Sequence, residues 1–280
     1  MAIKITADST CDLSPQQLSR HGIELFPLYI TMNGKTCRDG VDVFPADLFE
    51  NVDRGGEMAI TAAVTPHDYA ERFAALSKEY DAVIHVCISN KFSACYQNAH
   101  LAAEEFPNVY VVDSQNLSTG HGHVVLEAAA RAEAGMPACE IVRELEELIP
   151  KVDASFILDR LDYMAKGGRC STVAALGANM LNLKPCIEVA NGGMRVGTKY
   201  RGSFEKCIQK YVKDRLEGRE DLRMDRIFIT HTKCPPQAVE AAREAILQYQ
   251  SFREIIDTDA GCTVSSHCGP NTLGVLFIAK

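Results

Sequence analysis

Two short runs constrain this chain more than anything else in it. Ala82–Ile88 and Val109–Asp113 are rich in β-branched residues, lack polar alternation, and are each followed by a loop and a helical segment. A strand with one wet face alternates, so a run without alternation is buried on both faces, as in a parallel sheet covered by helices. The preceding stretches keep the same rhythm. Ile3–Ala7 reads as a strand, Pro15–His21 as a helix, Ile23–Ile30 as a strand, Asn33-Gly34 as a turn, and a helix opens at about Pro45. Thr65-Pro66-His67-Asp68 supplies an N-cap, a proline at the first helical position and an acid at the third, for a helix reaching about Tyr80. Pro137-Ala138 opens another, running through Glu140–Ile149.

The texture changes near Lys151. Beyond it the pattern gives a strand at Ala154–Leu158, short helices around a glycine pair, and a hairpin of Cys186–Val189 and Met194–Thr198 across Asn191-Gly192-Gly193. Ser203–Leu216 is helical, Ile227–His231 a strand, Pro236–Tyr249 a helix, and Glu254–Thr258 and Thr272–Ala279 strands. The expectation is an α/β protein of two domains: residues 1–152 a three-layer α/β/α parallel-sheet domain, and residues 153–280 a two-layer α/β domain with a mixed sheet. A length of 280 residues, near the upper limit for one core, agrees with that division.

Composition narrows the function. A net charge of −8 with no Lys/Arg-rich block argues against a nucleic-acid surface, which needs clustered cations. An anionic ligand would have to be held by backbone N–H groups, helix N-termini or a few placed side chains. The chain has no apolar run of 18 or more residues, and its start, Met1-Ala2-Ile3-Lys4-Ile5, reads directly into a strand, so a soluble cytoplasmic protein is expected. The cysteines number eleven, an odd count without any Cys-x-x-Cys pair, and several, such as Cys87 and Cys186, stand in apolar stretches; reduced, mostly buried thiols explain them. His121 and His123 lie two apart with no Cys or carboxylate at ligand spacing, so no metal is assigned. Lys166-Gly167-Gly168-Arg169 has the makings of a phosphate nest, but lacks Walker spacing, and no G-x-G-x-x-G follows a strand.

Five polar clusters remain. Ile88-Ser89-Asn90-Lys91-Phe92-Ser93 ends a buried strand and opens a helix, the place where open α/β sheets bind ligands. Ser93 caps that helix, serves a ligand, or does both. Asp8-Ser9-Thr10 and Thr61–Pro66 are similar loops, in which Asp8 either holds backbone amides or takes part in chemistry; Asp113-Ser114 carries the same alternative. His267 lies in a loop, Ser266-His267-Cys268-Gly269-Pro270, whose Gly-Pro pair fixes the backbone path, and its imidazole is either structural or functional. Ser93, His267 and Asp8 would make a hydrolytic triad on paper, although no Gly-x-Ser-x-Gly elbow surrounds Ser93.

In order along the whole chain, Asp8-Ser9-Thr10, Thr61–Pro66, Ser89–Ala99, Val112-Asp113-Ser114, Leu161–Arg169, Leu183-Lys184-Pro185 and the His267/Gly269-Pro270 loop resemble the DegV family. The resemblance implies a bacterial fatty-acid-binding protein that needs no cofactor and holds its acid between two α/β domains, the tail in an apolar tunnel. It implies carboxylate contacts from Thr61, Ser93 and His267, assisted by the amides of Ala94 and Cys95, with Arg169 near the same region. It also implies a carrier rather than an enzyme, one that presents the acid to a separate fatty acid kinase for acyl-phosphate formation in phospholipid metabolism, with room for transient contact with a membrane surface. A stand-alone acyl hydrolase using Ser93 and His267, and a lipid-sensing adaptor, are the competing readings. The chain departs from the family pattern where Ala94-Cys95 replaces the usual Gly-Thr, Ala62 a usual Ser and Asn271 a usual Gly. The Ala94 N–H can still donate, and Asn tolerates the left-handed conformation.

Overall fold

A computed structural model describes residues 2–174 and 183–280; Met1 of the expected opening strand run lies outside them. The first half runs β1 (Ile3–Asp8), a 3-10 turn (Ser9–Cys11), α1 (Pro15–Arg20), β2 (Glu24–Phe26), β3 (Tyr29–Met32), β4 (Lys35–Arg38), α2 (Pro45–Asp53), β5 (Ile60–Ala62), α3 (Pro66–Glu79), β6 (Ala82–Cys87), α4 (Cys95–Ala103), β7 (Val109–Asp113), α5 (Ser118–Glu133) and α6 (Ala138–Leu148). The second runs β8 (Val152–Leu158), α7 (Asp162–Gly167), α8 (Ser171–Ala174), β9 (Leu183–Ala190), β10 (Gly193–Arg201), α9 (Phe204–Leu216), β11 (Leu222–Thr232), α10 (Pro236–Tyr249), β12 (Glu254–Asp259), α11 (Cys262–Cys268) and β13 (Thr272–Ala279).

The unalternating runs become β6 and β7 of a parallel sheet of order β2-β1-β6-β7, in which every residue of β6 is buried while β7, at the edge, is mostly half-buried. The expected single strand Ile23–Ile30 is two strands instead, with Pro27 between them. Proline has no N–H for the ladder and a fixed φ, so β2 stays in the parallel sheet while β3 turns away. It joins an antiparallel sheet of order β4-β3-β5, turned at Asn33-Gly34 with both residues at positive φ. That small sheet, absent from the sequence-based reading, carries Thr61.

The second half forms a mixed sheet of order β10-β9-β8-β13-β11-β12, parallel only between β11 and β12. Helices α9 and α10 cover one face through Ile208, Tyr211, Val212 and Ile246. The other face meets α5, which also packs on β1 and β6 and so lies between the two larger sheets. It is buried from Ser118 to Ala129. Its polar residues explain how: the rings of His121 and His123, two positions apart, point to opposite sheets. His121 Nε2 bonds Val86 O at 2.9 Å and His123 Nε2 bonds Leu276 O at 3.0 Å. Burial pulls both imidazoles down, to about 4 and about 3, so both are neutral. A side chain at Gly122 would run into Cys11 O at 2.6 Å, which is why this helix can sit so close to the 3-10 turn. Glu127, buried near its end, is held by Arg131, Arg223 and Arg226. One apolar core runs continuously from Ile5 and Val86 through Val124 to Phe228 and Leu276, across both sheets.

Candidate functional site

Between α5, α11, β5 and the end of β6 lies a cavity with about 560 Å³ of unfilled space, part of it open to solvent. Its walls are mostly apolar: Leu28, Ile88, Phe92, Leu117, Met164, Met194 and Val264. Thr61, Ser93, Arg169, Thr263 and His267 supply the polar groups. They come from β5, the loop before α4, the turn after α7 and α11, which carries both Thr263 and His267, so the site is invisible as a local motif.

His267 corrects the expectation of a loop: it sits in the last turn of α11. Its Nε2 lies 2.9 Å from Thr61 Oγ1 on β5, while its Nδ1 is buried without a hydrogen-bond partner among the described residues. The ring packs against Gly167 so closely that a Cβ there would overlap Nδ1. Burial, assisted by the Arg169 charge, pulls the imidazole down to about 4, so it is neutral at physiological pH. Arg169 is exposed, and its guanidinium donates to Gly167 O at 2.8 Å. Gly168, at φ 68°, ends α7 in the left-handed conformation and turns the chain toward Arg169.

Ser93 Oγ accepts from the Cys95 amide at 3.2 Å and lies 3.1 Å from Cys95 Sγ, so it does tie the start of α4. Asn98 of the same helix donates to Val64 O at 2.8 Å, fixing α4 to the segment that follows Thr61. Thr61, Ser93, Arg169 and His267 thus meet at one cavity. Ala94 and Cys95 do not line it: Ala94 is exposed, and the Cys95 amide is already bonded to Ser93.

The triad is not assembled. Asp8 is wholly buried and accepts from Tyr69 Oη at 2.6 Å and from Ile88 N at 2.9 Å, with His85 Nε2 at 3.2 Å. Burial alone would raise its carboxyl; the bonds and charge of His85, together with the Tyr69 bond, hold it below the usual range. Asp8 therefore holds the end of β6, below the Ser93 loop, as one of the two readings anticipated. Asp113 accepts from Gln115 N at 2.9 Å and Asn90 N at 3.3 Å and does the same for that loop from β7. A metal-type grouping that the sequence did not reveal, Asp8, His85 and Cys87, lies fully buried with its ligand atoms within 4.8 Å of one another. Its donors are spent internally, since His85 Nδ1 also bonds Thr6 Oγ1 at 2.8 Å.

The β9–β10 hairpin closes the site from the other half. Ser89 Oγ donates to Gly192 O at 2.6 Å and Lys91 Nζ to Asn191 O at 2.7 Å, bringing Met194 to the cavity wall. A second, tight apolar pocket shares Leu117, Val264 and Cys268 with the first and is also lined by His231 and Ala260. His231 is itself held between Asp257 at 3.1 Å and Asp259 at 3.3 Å.

Fold and site together define an α/β protein with a largely apolar cavity between its sheets and a few polar side chains in its wall. A family model described as an uncharacterised protein of the DegV family matches residues 2–280. A DegV domain-containing protein of Caldanaerobacter subterraneus subsp. tengcongensis is 32% identical over 282 residues, which covers 99% of each chain. A protein of Thermotoga maritima named a fatty acid-binding protein is 28% identical over 98% of this chain and 96% of its own. A solved structure described as fatty acid binding of a DegV family protein from Thermus thermophilus superposes with a TM-score of 0.91 at 30% identity, over 100% of both chains. The chain belongs to the DegV family.

Proposed function

We propose that this protein binds one long-chain fatty acid, its tail in the apolar cavity and its carboxylate at Thr61, Ser93 and His267, and presents that carboxylate to a separate fatty acid kinase. The observation that carries the reading is a largely apolar cavity whose wall includes Ser93 and the Thr61–His267 pair, brought in from the loop before α4, β5 and α11. The relatives from Thermotoga maritima and Thermus thermophilus, described as binding fatty acids, support it.

The energetics divide the work. Each buried methylene contributes about 0.8 kcal/mol, so a tail of roughly sixteen carbons gains on the order of 10 kcal/mol before the costs of association. Burying the carboxylate costs several kcal/mol unless charge-assisted bonds replace its water. Affinity resides in the tail and selection of acids over esters in the head group. A neutral His267 is suited to that role, because it offers or accepts a proton without placing a fixed charge in the cavity. The Cys95 amide assists only if its bond to Ser93 opens on binding, and the Ala94 amide only if the loop turns it toward the cavity. Arg169, exposed at the rim, is the cation we assign to steering the acyl phosphate or the kinase surface. We further propose that the division near residue 152 separates two domains that close on the ligand, and that the protein works in the cytoplasm with transient visits to a membrane surface to load. No described helix is long and apolar enough to cross a membrane. The unassembled triad, with His267 on Thr61 and Asp8 on His85, weighs against the hydrolase reading.

Mass spectrometry under native conditions tests the reading. The protein as purified should carry one fatty acid, and the delipidated protein should take up palmitate and yield acyl phosphate only when a fatty acid kinase and ATP are added. A chain that stays empty refutes ligand binding; acyl phosphate or free acid released from an ester by the chain alone refutes the carrier role.

A further inference from the structure

Two buried carboxylates stand outside the cavity wall, and none of the proposed ligand contacts uses them. Asp39, 3% exposed, follows β4; its Oδ1 accepts from Cys262 N at 2.9 Å, and its Oδ2 from Thr263 N at 3.0 Å, Thr263 Oγ1 at 2.7 Å and Ser9 Oγ at 3.2 Å. Asp12, 7% exposed, stands in the left-handed conformation at φ 50° after the first 3-10 turn. It accepts from Gly261 N at 2.9 Å and Ser118 Oγ at 2.6 Å. Gly261, Cys262 and Thr263 carry the free amides at the start of α11, so the helix that bears His267 is capped by side chains from the opposite end of the sequence. Its far end is tied as well, since Thr272 Oγ1 donates to Cys268 O at 3.0 Å and Thr232 Oγ1 donates to Gly269 O.

A helix of seven residues reading Cys-Thr-Val-Ser-Ser-His-Cys has little stability of its own, so these ties determine where it lies. The tie at Asp39 has a particular geometry. Strand β4 pairs with β3, and β3 pairs with β5, which carries Thr61. Asp39 therefore joins α11 to the sheet that holds the partner of His267.

We infer that Asp39, backed by Asp12, is a positioning residue for the head-group site: it seats α11 on the three-stranded sheet and thereby sets the His267–Thr61 pair. The inference rests on the fatty-acid reading of the cavity for its functional consequence, while its structural content stands apart from the ligand. In Asp39→Asn one carboxylate oxygen becomes an NH2 facing backbone donors, so at least one amide at the start of α11 loses its acceptor and the helix shifts.

The test compares affinities for palmitate and for methyl palmitate in the wild type, Asp39→Asn, His267→Ala and the double variant, with thermal stability measured alongside. Asp39→Asn should weaken palmitate binding about tenfold, the scale of one lost charge-assisted bond, and leave the ester unchanged. The double variant should be no weaker than His267→Ala alone. An equal loss for acid and ester, or losses that add in full, would overturn the inference and leave Asp39 a general stabiliser. Should Asp39→Asn not fold, Ser9→Ala, which removes one donor to Asp39, carries the same criterion: a reduced acid-over-ester ratio supports the inference and an unchanged ratio overturns it. The ring resonances of His267, recorded without ligand, separate this inference from the ligand reading. A variant that weakens the Asp39 tie should move them even if no fatty acid ever binds, and resonances that stay in place would overturn the inference.

Discussion

At the scale of single residues, the site works through side chains whose protonation is set by burial. His267 is held neutral, with its imidazole at about 4, whereas burial pushes the Asp12 carboxyl up to about 7 despite bonds from Ser118 and Gly261, with Asp39 adding repulsion. Asp12 is protonated in the folded chain at a pH where it ionises in the unfolded chain, which has the ordinary aspartate value of about 3.9. Its contribution to stability is therefore fully present below about pH 4 and is lost as the pH rises through about 7. Asp12→Asn mimics the protonated form and should remove this dependence. Urea unfolding at pH 5.5 and pH 8 should show the wild type losing stability relative to Asp12→Asn at the higher pH. A constant difference between the two would mean that Asp12 stays ionised across that range. The buried neutral histidines, with lowered values, push stability the other way as the pH rises toward 6.5, so only the comparison of the two proteins isolates Asp12.

At the scale of elements, α7 and α11 meet through Gly167, and that contact separates site geometry from stability. Alanine is the better helix former by about 1 kcal/mol, and Gly167 ends α7 in a conformation that alanine accepts. In Gly167→Ala that gain offsets part of the cost of moving the buried His267 ring, so the melting temperature should change little. The new methyl would displace the His267 ring, and palmitate affinity should fall about tenfold. A melting temperature that falls with no change in affinity would show that the ring adapts. The elements themselves were largely legible in the sequence: α10 and β13 run as expected, and the capping box at Thr65 forms with Asp68 as its third residue. What escaped has physical causes. Pro27 split a run whose apolar pattern is continuous on both sides. Helix α11 escaped because its stabilisation comes from Asp12 and Asp39, remote carboxylates rather than local caps. Thr61, Ser93, Arg169 and His267 were legible as polar residues at loop and helix ends, whereas Leu117, Met164 and Met194 carried no signal, because a core position and a cavity wall look alike in sequence.

At the scale of the whole molecule, α5 and α11 border two apolar pockets between the sheets, with Leu117, Val264 and Cys268 standing between them and lining both. A tail that displaces these side chains and runs from one pocket into the other gains roughly fourfold in affinity per methylene, from about 0.8 kcal/mol each. Val264→Phe thickens the wall between the pockets, so affinity should stop rising at a shorter chain in competition binding across ten to eighteen carbons, with a loss of stability of about 1–3 kcal/mol from overpacking. A parallel loss at every length would place the tail elsewhere. The central claim, that a fatty acid lies with its carboxylate at Thr61, Ser93 and His267, is tested most directly by the carbon resonance of carboxyl-labelled palmitate bound to the delipidated protein. The account predicts a single bound resonance, distinct from that of the acid in water, that moves in both Ser93→Ala and His267→Ala while the terminal methyl resonance of the tail stays in place. A carboxyl resonance that matches the acid in water, or that neither substitution moves, would contradict it.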